Sequence, residues 1–154
     1  MKAFWTAICL LASPAWADSI EPLSGWAVYS SDKSYDTLVE DTKAAVKENG
    51  LIVVTQAGPT KAAAARGITI PGNRVIGVFN NDYAVRVLET STNALIEAPI
   101  RFYVTESEDG SATLSYKTPS FVFAPYVYEG GEPLREIATE LDAKFQTIAE
   151  SAVN

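Results

Sequence analysis

The chain contains no histidine, and it has one cysteine and one methionine in 154 residues. Cys9 and Met1 both lie in the first 17 residues, which we predict to be removed by cleavage. A mature chain without these residue types has no disulfide, no Ser-His-Asp or Cys-His nucleophile, and no zinc or copper site built from imidazole or sulfur. The chemistry of Lys, Tyr, Asp and Glu and of oxygen ligands remains. We therefore expect no metal and no cofactor, and we rank an enzyme behind a binding protein.

Basic residues are also scarce, with 12 Lys and Arg against 19 Asp and Glu and a net charge of −7. Cleavage after residue 17 removes Lys2 and leaves 11 − 19 = −8. An acidic domain repels phosphate backbones, so nucleic acid is a poor candidate for a partner. The remaining 154 − 17 = 137 residues show no internal repeat, and this length suits one domain with a sizeable core.

The first 17 residues, MKAFWTAICLLASPAWA, have the pattern of a secretory signal peptide. Lys2 is their single charge, an apolar run covers residues 3–12, and Ala15-Trp16-Ala17 has the small-x-small pattern of a cleavage site. The apolar run is too short to cross a bilayer as a helix. The sequence therefore predicts a signal peptide at 1–17, a soluble domain at 18–154, and a periplasmic or secreted location with no membrane span after cleavage.

Periodicity predicts the order strand, helix, strand, short helix, strand, helix, strand, strand, helix. The first three strands are predicted at residues 25–31, 51–56 and 74–79. The first long helix has two possible starts, because Ser34 can cap it directly, while Thr37 with Glu40 fits a capping box about one turn later. Its predicted inner face consists of Tyr35, Leu38, Val39, Thr42 and Val46.

The stretch RGITIPGNRVIGVFNND contains three glycines, to which we assign three separate backbone roles. Gly67 ends a short helix that begins near Thr60. Gly72 follows a proline and is predicted in the left-handed region of a type II turn. Gly77 lies inside the third strand, where it allows a bulge or a close neighbour. The stretch matches neither a Walker loop nor a dinucleotide fingerprint, so we do not interpret it as a phosphate cradle.

Two cations near this stretch form one candidate site. Lys61 and Arg66 flank the helix-to-turn segment and could hold a carboxylate or a phosphate. The alternative is that both are solvated cations on a helix surface.

A further helix is predicted after the third strand, with Asn80, Asn81 and Asp82 as competing caps and Pro99 as its end. Its predicted inner face consists of Ala84, Val87, Leu88, Ser91 and Leu95. The aromatic segment 119–133 is interpreted as a connection that covers the edge of the core. Pro133 then opens the last helix, whose apolar stripe is predicted to be core. That stripe consists of Leu134, Ile137, Ala138, Leu141, Phe145, Ile148 and Ala152.

The clearest supersecondary element is a hairpin formed by IRFYVTES and SATLSYKT. A two-residue Asp-Gly turn would mix the two faces of its strands. A three-residue loop with Gly110 in the left-handed region instead places Val104 opposite Leu114 and Phe102 opposite Tyr116. We predict this second register because it keeps the apolar side chains on one face.

Several of these stretches, taken in order, resemble the bacterial family known as domain of unknown function 302. They are NRVIGVFNN followed by a helix, IEAPIRFYV, the EDG turn and LSYKTPS, and the match covers residues 29–121. The resemblance implies an α+β fold like that of the TATA-box-binding protein, a curved antiparallel sheet with helices packed on one face. It implies no activity and no DNA binding. The chain departs from the family at Phe79-Asn80-Asn81, where relatives commonly have Gly-Asn-Pro, and in a tail without the histidine that relatives often have.

A sheet covered by helices on one face presents its other face to water, a ligand or another chain. In the predicted register Arg101 lies opposite Lys117 on that open face, and like charges opposed across strands are destabilising. A carboxylate from elsewhere in the fold or a bound anion could compensate. The predicted binding residues of the open face are Arg101, Tyr103, Ser115, Lys117 and Tyr29.

Three functions remain compatible with the sequence. The first is an exported interaction module that uses the open face to bind another periplasmic protein or a second copy of itself. The second is a carrier that holds a small anionic or amphipathic ligand between sheet and helices, which requires a cavity of roughly a few hundred Å³. The third is an enzyme that uses a carboxylate or tyrosine as acid–base group, which requires a buried carboxyl with a raised pKa.

Overall fold

The structure is a computed structural model that describes residues 20–154, and the predicted signal peptide lies outside this range. The described chain has an α+β fold with one open, five-stranded antiparallel sheet in the order β1-β5-β4-β3-β2. The strands are β1 Trp26–Ser34, β2 Ile52–Ala57, β3 Asn73–Phe79, β4 Ile100–Glu106 and β5 Ser111–Lys117. The helices are α1 Tyr35–Glu48, α2 Thr60–Ala64, α3 Asn81–Thr90, α4 Pro119–Phe123 and α5 Val127–Val153.

Helix α1 begins at the earlier of its two predicted starts. The Ser34 hydroxyl accepts a hydrogen bond from the Thr37 amide at 3.3 Å, so it satisfies one of the free amides of the first turn. The buried face of α1 then contains Leu38, Val39, Thr42, Ala45 and Val46.

The predicted type II turn at Pro71-Gly72 is wrong, because Gly72 is not among the described glycines with a positive φ. Its backbone instead lies beside the end of β4, where its carbonyl accepts from the Glu106 amide at 2.9 Å. Glycine is required there by a close approach, since a Cβ on Gly72 would lie 2.5 Å from Cγ of Tyr35. Glycine is needed at this position because it has no side chain, and not because it can adopt a positive φ.

The prediction for Gly77 is confirmed in both of its forms. The β2–β3 register shifts between Val53 and Thr55, which makes a bulge opposite Gly77. Thr55 and Pro99 also pack closely over the glycine, and an added Cβ would lie 2.2 Å from Oγ1 of Thr55.

The predicted end of α3 at Pro99 is wrong. Asn80 caps the helix by accepting from the amides of Asp82 and Tyr83 at 2.9 and 3.1 Å, but the helix ends at Thr90. The buried Ser91 hydroxyl then accepts from the Ala94 amide at 3.1 Å, which starts a separate 3₁₀ turn at Asn93–Glu97. Leu88, predicted as an inner residue of this helix, is 44 % exposed.

The segment interpreted as a connection over the edge of the core is itself helical. It forms α4 and a 3₁₀ turn at Ala124–Tyr126, and buried Pro119 and Phe123 cover the core as expected. Hydrogen bonding continues into α5, although Gly131 is non-helical with φ 60° and ψ −151°. Pro133 therefore stands near the start of the regular part of α5, as predicted.

The β4–β5 hairpin has the predicted register, with Phe102 opposite Tyr116 and Val104 opposite Leu114. Ser107 pairs with Ser111 across a three-residue loop, and Gly110 has φ +84°. These apolar side chains face α5, where the ring of Phe145 stacks on Phe102 at a centroid distance of 4.5 Å.

The side chain of Tyr29 lies on this helix-covered face, which contradicts its prediction as an open-face residue. Tyr29 pairs with Leu114, and its ring stacks on Tyr116 at 6.1 Å. The alternation of β1 therefore places Trp26 and Val28, instead of Tyr29, on the open face.

Candidate functional site

The open face is built from alternate residues of β1, β5, β4 and β3. Tyr103 lies between Ser115 on β5 and Val75 on β3. Continuing the β4–β5 register by one pair places Arg101 opposite Lys117, as predicted. Lys117 in turn pairs with Trp26 on the edge strand β1.

A groove of about 410 Å³ crosses this face. Its lining includes Trp26, Val75, Arg101, Tyr103, Lys117 and, from outside the sheet, Glu97 and Val122. The structure thus brings together three of the five predicted binding residues, Arg101, Tyr103 and Lys117. The sequence analysis did not predict four lining residues. Trp26 and Val75 could have been predicted from the alternation of their strands alone. Glu97 and Val122 could not, because no pattern in the residues around them places them at the groove.

The two cations of the groove are exposed and form no ion pair within residues 20–154. Lys117 contacts an aromatic ring instead, with Nζ 6.0 Å from the ring centroid of Trp26. Glu97 is the one carboxylate among the described residues that line the groove, and it accepts a hydrogen bond from the Tyr126 hydroxyl at 2.7 Å. That hydrogen bond raises the pKa of Tyr126, because the neutral phenol is the donor. A carboxylate from elsewhere in the fold was one of two ways to offset the repulsion between Arg101 and Lys117. No such ion pair is present in the described chain.

Tyr103 and Ser115 have different access to the groove. The Tyr103 hydroxyl accepts a hydrogen bond from Nδ2 of Asn73, and the half-buried ring lines the groove. Ser115 lies between Val28 and Tyr103 on the same face, but it is fully buried and its hydroxyl donates to the Tyr103 carbonyl at 3.4 Å. Its prediction as a binding residue is corrected, because its larger neighbours cover it.

The second predicted anion site remains a prediction. Lys61 lies in α2 and Arg66 lies just beyond it, and both side chains are exposed. Neither forms an ion pair or a side-chain hydrogen bond with any residue in the described part of the chain. The structure therefore shows two solvated cations without a shared polar partner.

The space between sheet and helices is small. An apolar cavity there has a volume of about 40 Å³ and is lined by residues such as Val78, Val87, Leu141 and Phe145. This is room for about one water-sized molecule, far below the few hundred Å³ of an ordinary ligand site. A carried ligand would therefore fit in the open-face groove and not between the sheet and the helices.

The titratable groups with shifted pKa values do not form an acid–base pair in the groove. Hydrogen bonds from Ser111 lower the pKa of Asp109, and hydrogen bonding to Arg86 lowers that of Glu140. Burial raises the pKa of Tyr116, but its ring belongs to the core. Neither shifted carboxyl supplies the raised pKa that the acid–base hypothesis requires.

The described residues offer neither a cluster of metal ligands nor a helix that could span a membrane. They contain no group of three or more His, Cys, Asp or Glu side chains positioned to hold a metal ion. None of their helices combines the length and the apolar character needed to cross a bilayer.

Comparison with known proteins identifies a family and a related structure. The model of the family described as "Domain of unknown function DUF302" matches residues 26–152. A crystal structure of an uncharacterized conserved DUF302 protein from Bacillus stearothermophilus is similar, with a TM-score of 0.73 and 16% sequence identity over 86% of this chain and 100% of that chain. Comparison with curated proteins gives no match. The structural similarity at this identity supports the fold and carries no activity.

Proposed function

This chain belongs to the DUF302 family, and we propose that it is an exported, non-catalytic binding module whose open sheet face receives an anionic group. The observation that carries the proposal is the pair of exposed, unpaired cations, Arg101 and Lys117, in a groove of about 410 Å³. Export rests on the signal-like pattern of residues 1–17. We also propose the finer fold assignment, a curved sheet like that of the TATA-box-binding protein, from the resemblance of the family.

The groove combines two kinds of contact. The guanidinium of Arg101 presents a planar set of donors suited to a carboxylate or phosphate, and Lys117 adds a compact charge. Trp26, Val75 and Val122 provide apolar surface beside them. A bound anion relieves the repulsion between the opposed cations, so binding is coupled to a gain in stability of the sheet.

The molecule that carries the anionic group is a small ligand or an acidic segment of another periplasmic protein. The groove volume falls within the range of small-molecule sites and supports the ligand alternative. A homodimer built on this face across a two-fold axis would bring Arg101 and Lys117 of both copies together. Such a dimer requires a carboxylate or a shared anion between the copies, which makes the anion part of the assembly.

The test is native mass spectrometry of the protein purified without denaturation from the periplasm of the exporting cell. We expect added mass beyond the mature chain, and we expect Arg101→Ala and Lys117→Ala each to remove it. Lys47→Ala is the matched control, because it removes the same charge from an exposed position in α1 outside the groove.

Other outcomes are distinguishable in the same spectra. Added mass that persists in both groove variants keeps a carrier and rejects this groove as its site. Bare chains in every sample reject a tightly held small ligand. Addition of an acidic partner or a soluble carboxylate then decides whether the groove binds anions at all, with the same three variants.

A further inference from the structure

A second surface, which no Lys or Arg of the described residues lines, has carboxylates at its rim. Tyr128 and Ile96 are the two most exposed large apolar side chains of the described residues, with 85% and 79% of their surface accessible. They line one shallow depression of about 690 Å³ between the 3₁₀ turn Asn93–Glu97 and the start of α5. Its apolar lining is Leu88, Leu95, Ile96, Pro125, Tyr126 and Tyr128. Contiguous apolar exposure of this kind marks interaction sites in soluble proteins.

Two hydrogen bonds hold carboxylates at the rim of this depression. Nδ2 of Asn93 donates to Oε2 of Glu129 at 2.9 Å, and the Tyr126 hydroxyl donates to Oε1 of Glu97 at 2.7 Å. Asn93 and Tyr126 are themselves lining residues. The bonds connect the 3₁₀ turn to the chain around the start of α5, so the rim charges have fixed positions.

These carboxylates have no cationic partner within residues 20–154, where neither Glu97 nor Glu129 forms an ion pair. The sequence explains this, because the two segments that form the depression lie between Arg86 and Arg101 and between Lys117 and Arg135, and contain no Lys or Arg. The depression is therefore an apolar surface with two carboxylates at its rim, and the nearby Arg135, which lines a neighbouring depression with Tyr128, is already paired with Glu132.

We propose that this depression docks a cationic amphipathic segment of a partner protein, with apolar side chains against Ile96 and Tyr128 and Lys or Arg side chains against Glu97 and Glu129. Charge complementarity selects this occupant. An anionic lipid surface is repelled by the same rim. A second copy of the chain, paired across a two-fold axis, would place the carboxylates of both copies together.

The test uses the intact protein and two synthetic peptides that form amphipathic helices, one of Leu and Lys and one in which Glu replaces every Lys. Fluorescence anisotropy of labelled peptide measures affinity. We expect the Leu-Lys peptide to bind, and the double variant Ile96→Ser/Tyr128→Ser to weaken binding about tenfold or more, as loss of central apolar anchors does. Glu97→Gln with Glu129→Gln weakens it at low salt and has less effect at high salt, where exposed charges are screened.

Val85→Ser is the control, since Val85 is an exposed apolar side chain on α3 that does not line the depression, although at 46% it is less accessible than Ile96 and Tyr128. The Val85→Ser variant should bind the Leu-Lys peptide with the same affinity as the unchanged protein. Ile96, Tyr128, Glu129 and Val85 are exposed and Glu97 is half-buried, so circular dichroism should show an intact fold in every variant.

Four results overturn the proposal. They are no binding of the Leu-Lys peptide, equal binding of the Leu-Glu peptide, an affinity that the Ile96→Ser/Tyr128→Ser change does not alter, and a dimer or vesicle complex that depends on Ile96 and Tyr128. The first three reject a cationic amphipathic partner at this surface. The last identifies a second copy or a membrane as the occupant.

Discussion

At the scale of single residues, Gly77 is the position where the sheet tolerates least change. The position that a side chain would occupy at Gly77 is filled by Thr55, next to the β2 bulge, and by Pro99, from the loop before β4. A Cβ at this position would lie 2.2 Å from Oγ1 of Thr55 and 2.9 Å from Cγ of Pro99. Neither neighbour is the free end of a long side chain, so the strain must be taken up by the backbone.

We therefore predict that Gly77→Ala lowers the free energy of unfolding by about 1–3 kcal/mol, the usual cost of overpacking. Urea unfolding followed by circular dichroism measures it. In a Thr55→Ala background, the Gly77→Ala change should cost less, because the nearest clashing atom is gone. Equal costs in the two backgrounds would show that Thr55 is not the obstacle.

Residues whose role depends on close sequence neighbours could be predicted, and residues placed by distant contacts could not. Ser34 as a cap and Gly110 as a left-handed loop residue follow from the few residues around them. Gly72 is small because Tyr35, far away in the sequence, packs on it. Tyr29 is turned to the helix side by its pairing with β5, and no pattern within β1 reveals that register.

At the scale of elements, Arg86 joins α3 to α5. Its two terminal nitrogens donate to the two carboxylate oxygens of Glu140 at 2.7 and 2.8 Å, and the guanidinium lies 5.3 Å from the ring centroid of Tyr83. The hydrogen bonding to Arg86 lowers the pKa of Glu140 below its ordinary value of 4.5. A carboxyl whose pKa is lowered by folding adds stability above the unfolded pKa, and this contribution is lost as pH falls through the folded pKa.

We predict that Arg86→Gln raises the pKa of Glu140 toward its ordinary value, which carbon-detected NMR titration of the side-chain carboxyl measures. The variant should be less stable than the unchanged protein at neutral pH. This difference should shrink as pH falls below about 4.5 and through the folded pKa. Glu40→Gln, which breaks the exposed pair with Lys43 inside α1, is the control and should not move the Glu140 titration. A Glu140 pKa that Arg86→Gln leaves unchanged would contradict the prediction.

The elements themselves were predicted unevenly. The β4–β5 register followed from keeping Phe102, Val104, Leu114 and Tyr116 on one face. The end of α3 did not, because it depends on the Ser91 hydroxyl bonding to the Ala94 amide, and serine also fits inside a helix. The helical character of the segment before α5 was hidden by its prolines, which stand at the starts of helical turns where they are tolerated.

At the scale of the whole molecule, the two proposed surfaces differ in charge, with cations in the groove and carboxylates at the rim of the apolar depression. Arg101 and Lys117 lie in the groove, while Glu129 lies at the rim of the apolar depression and Glu97 contributes to both places. The cations of the groove could be predicted because one hairpin register opposes them. The remaining lining could not, because Trp26, Val75 and Glu97 reach the groove from three separate parts of the chain.

The sheet also sets the order in which the molecule can fold. Edge strand β1 pairs with β5, from Trp26 opposite Lys117 to Ser31 opposite Ala112, so the paired residues are 117 − 26 = 91 to 112 − 31 = 81 positions apart. The last turn of α5 also contacts β1, since Ser31 and Lys33 donate to the carbonyls of Val153 and Ala152 at 3.1 and 2.8 Å. Such distant pairing is costly to close early.

We predict that β1 joins late in folding, and that the β4–β5 hairpin forms earlier. Val28→Ala should mainly raise the unfolding rate, whereas Val104→Ala should lower the folding rate, and stopped-flow chevron plots measure both. The comparison requires that each change costs more than about 0.6 kcal/mol at equilibrium. A larger effect of Val28→Ala on folding than on unfolding would show that β1 belongs to the nucleus.

The same pairing has a consequence for the chain during synthesis. β1 leaves the ribosome first among the described strands, and its partner β5 leaves last. The nascent chain therefore cannot complete its sheet before β5 has emerged, and its first strand stays unpaired until then. Under the export that we propose, this delay would leave the chain in a form that a translocation channel can still accept, because the sheet is not yet closed.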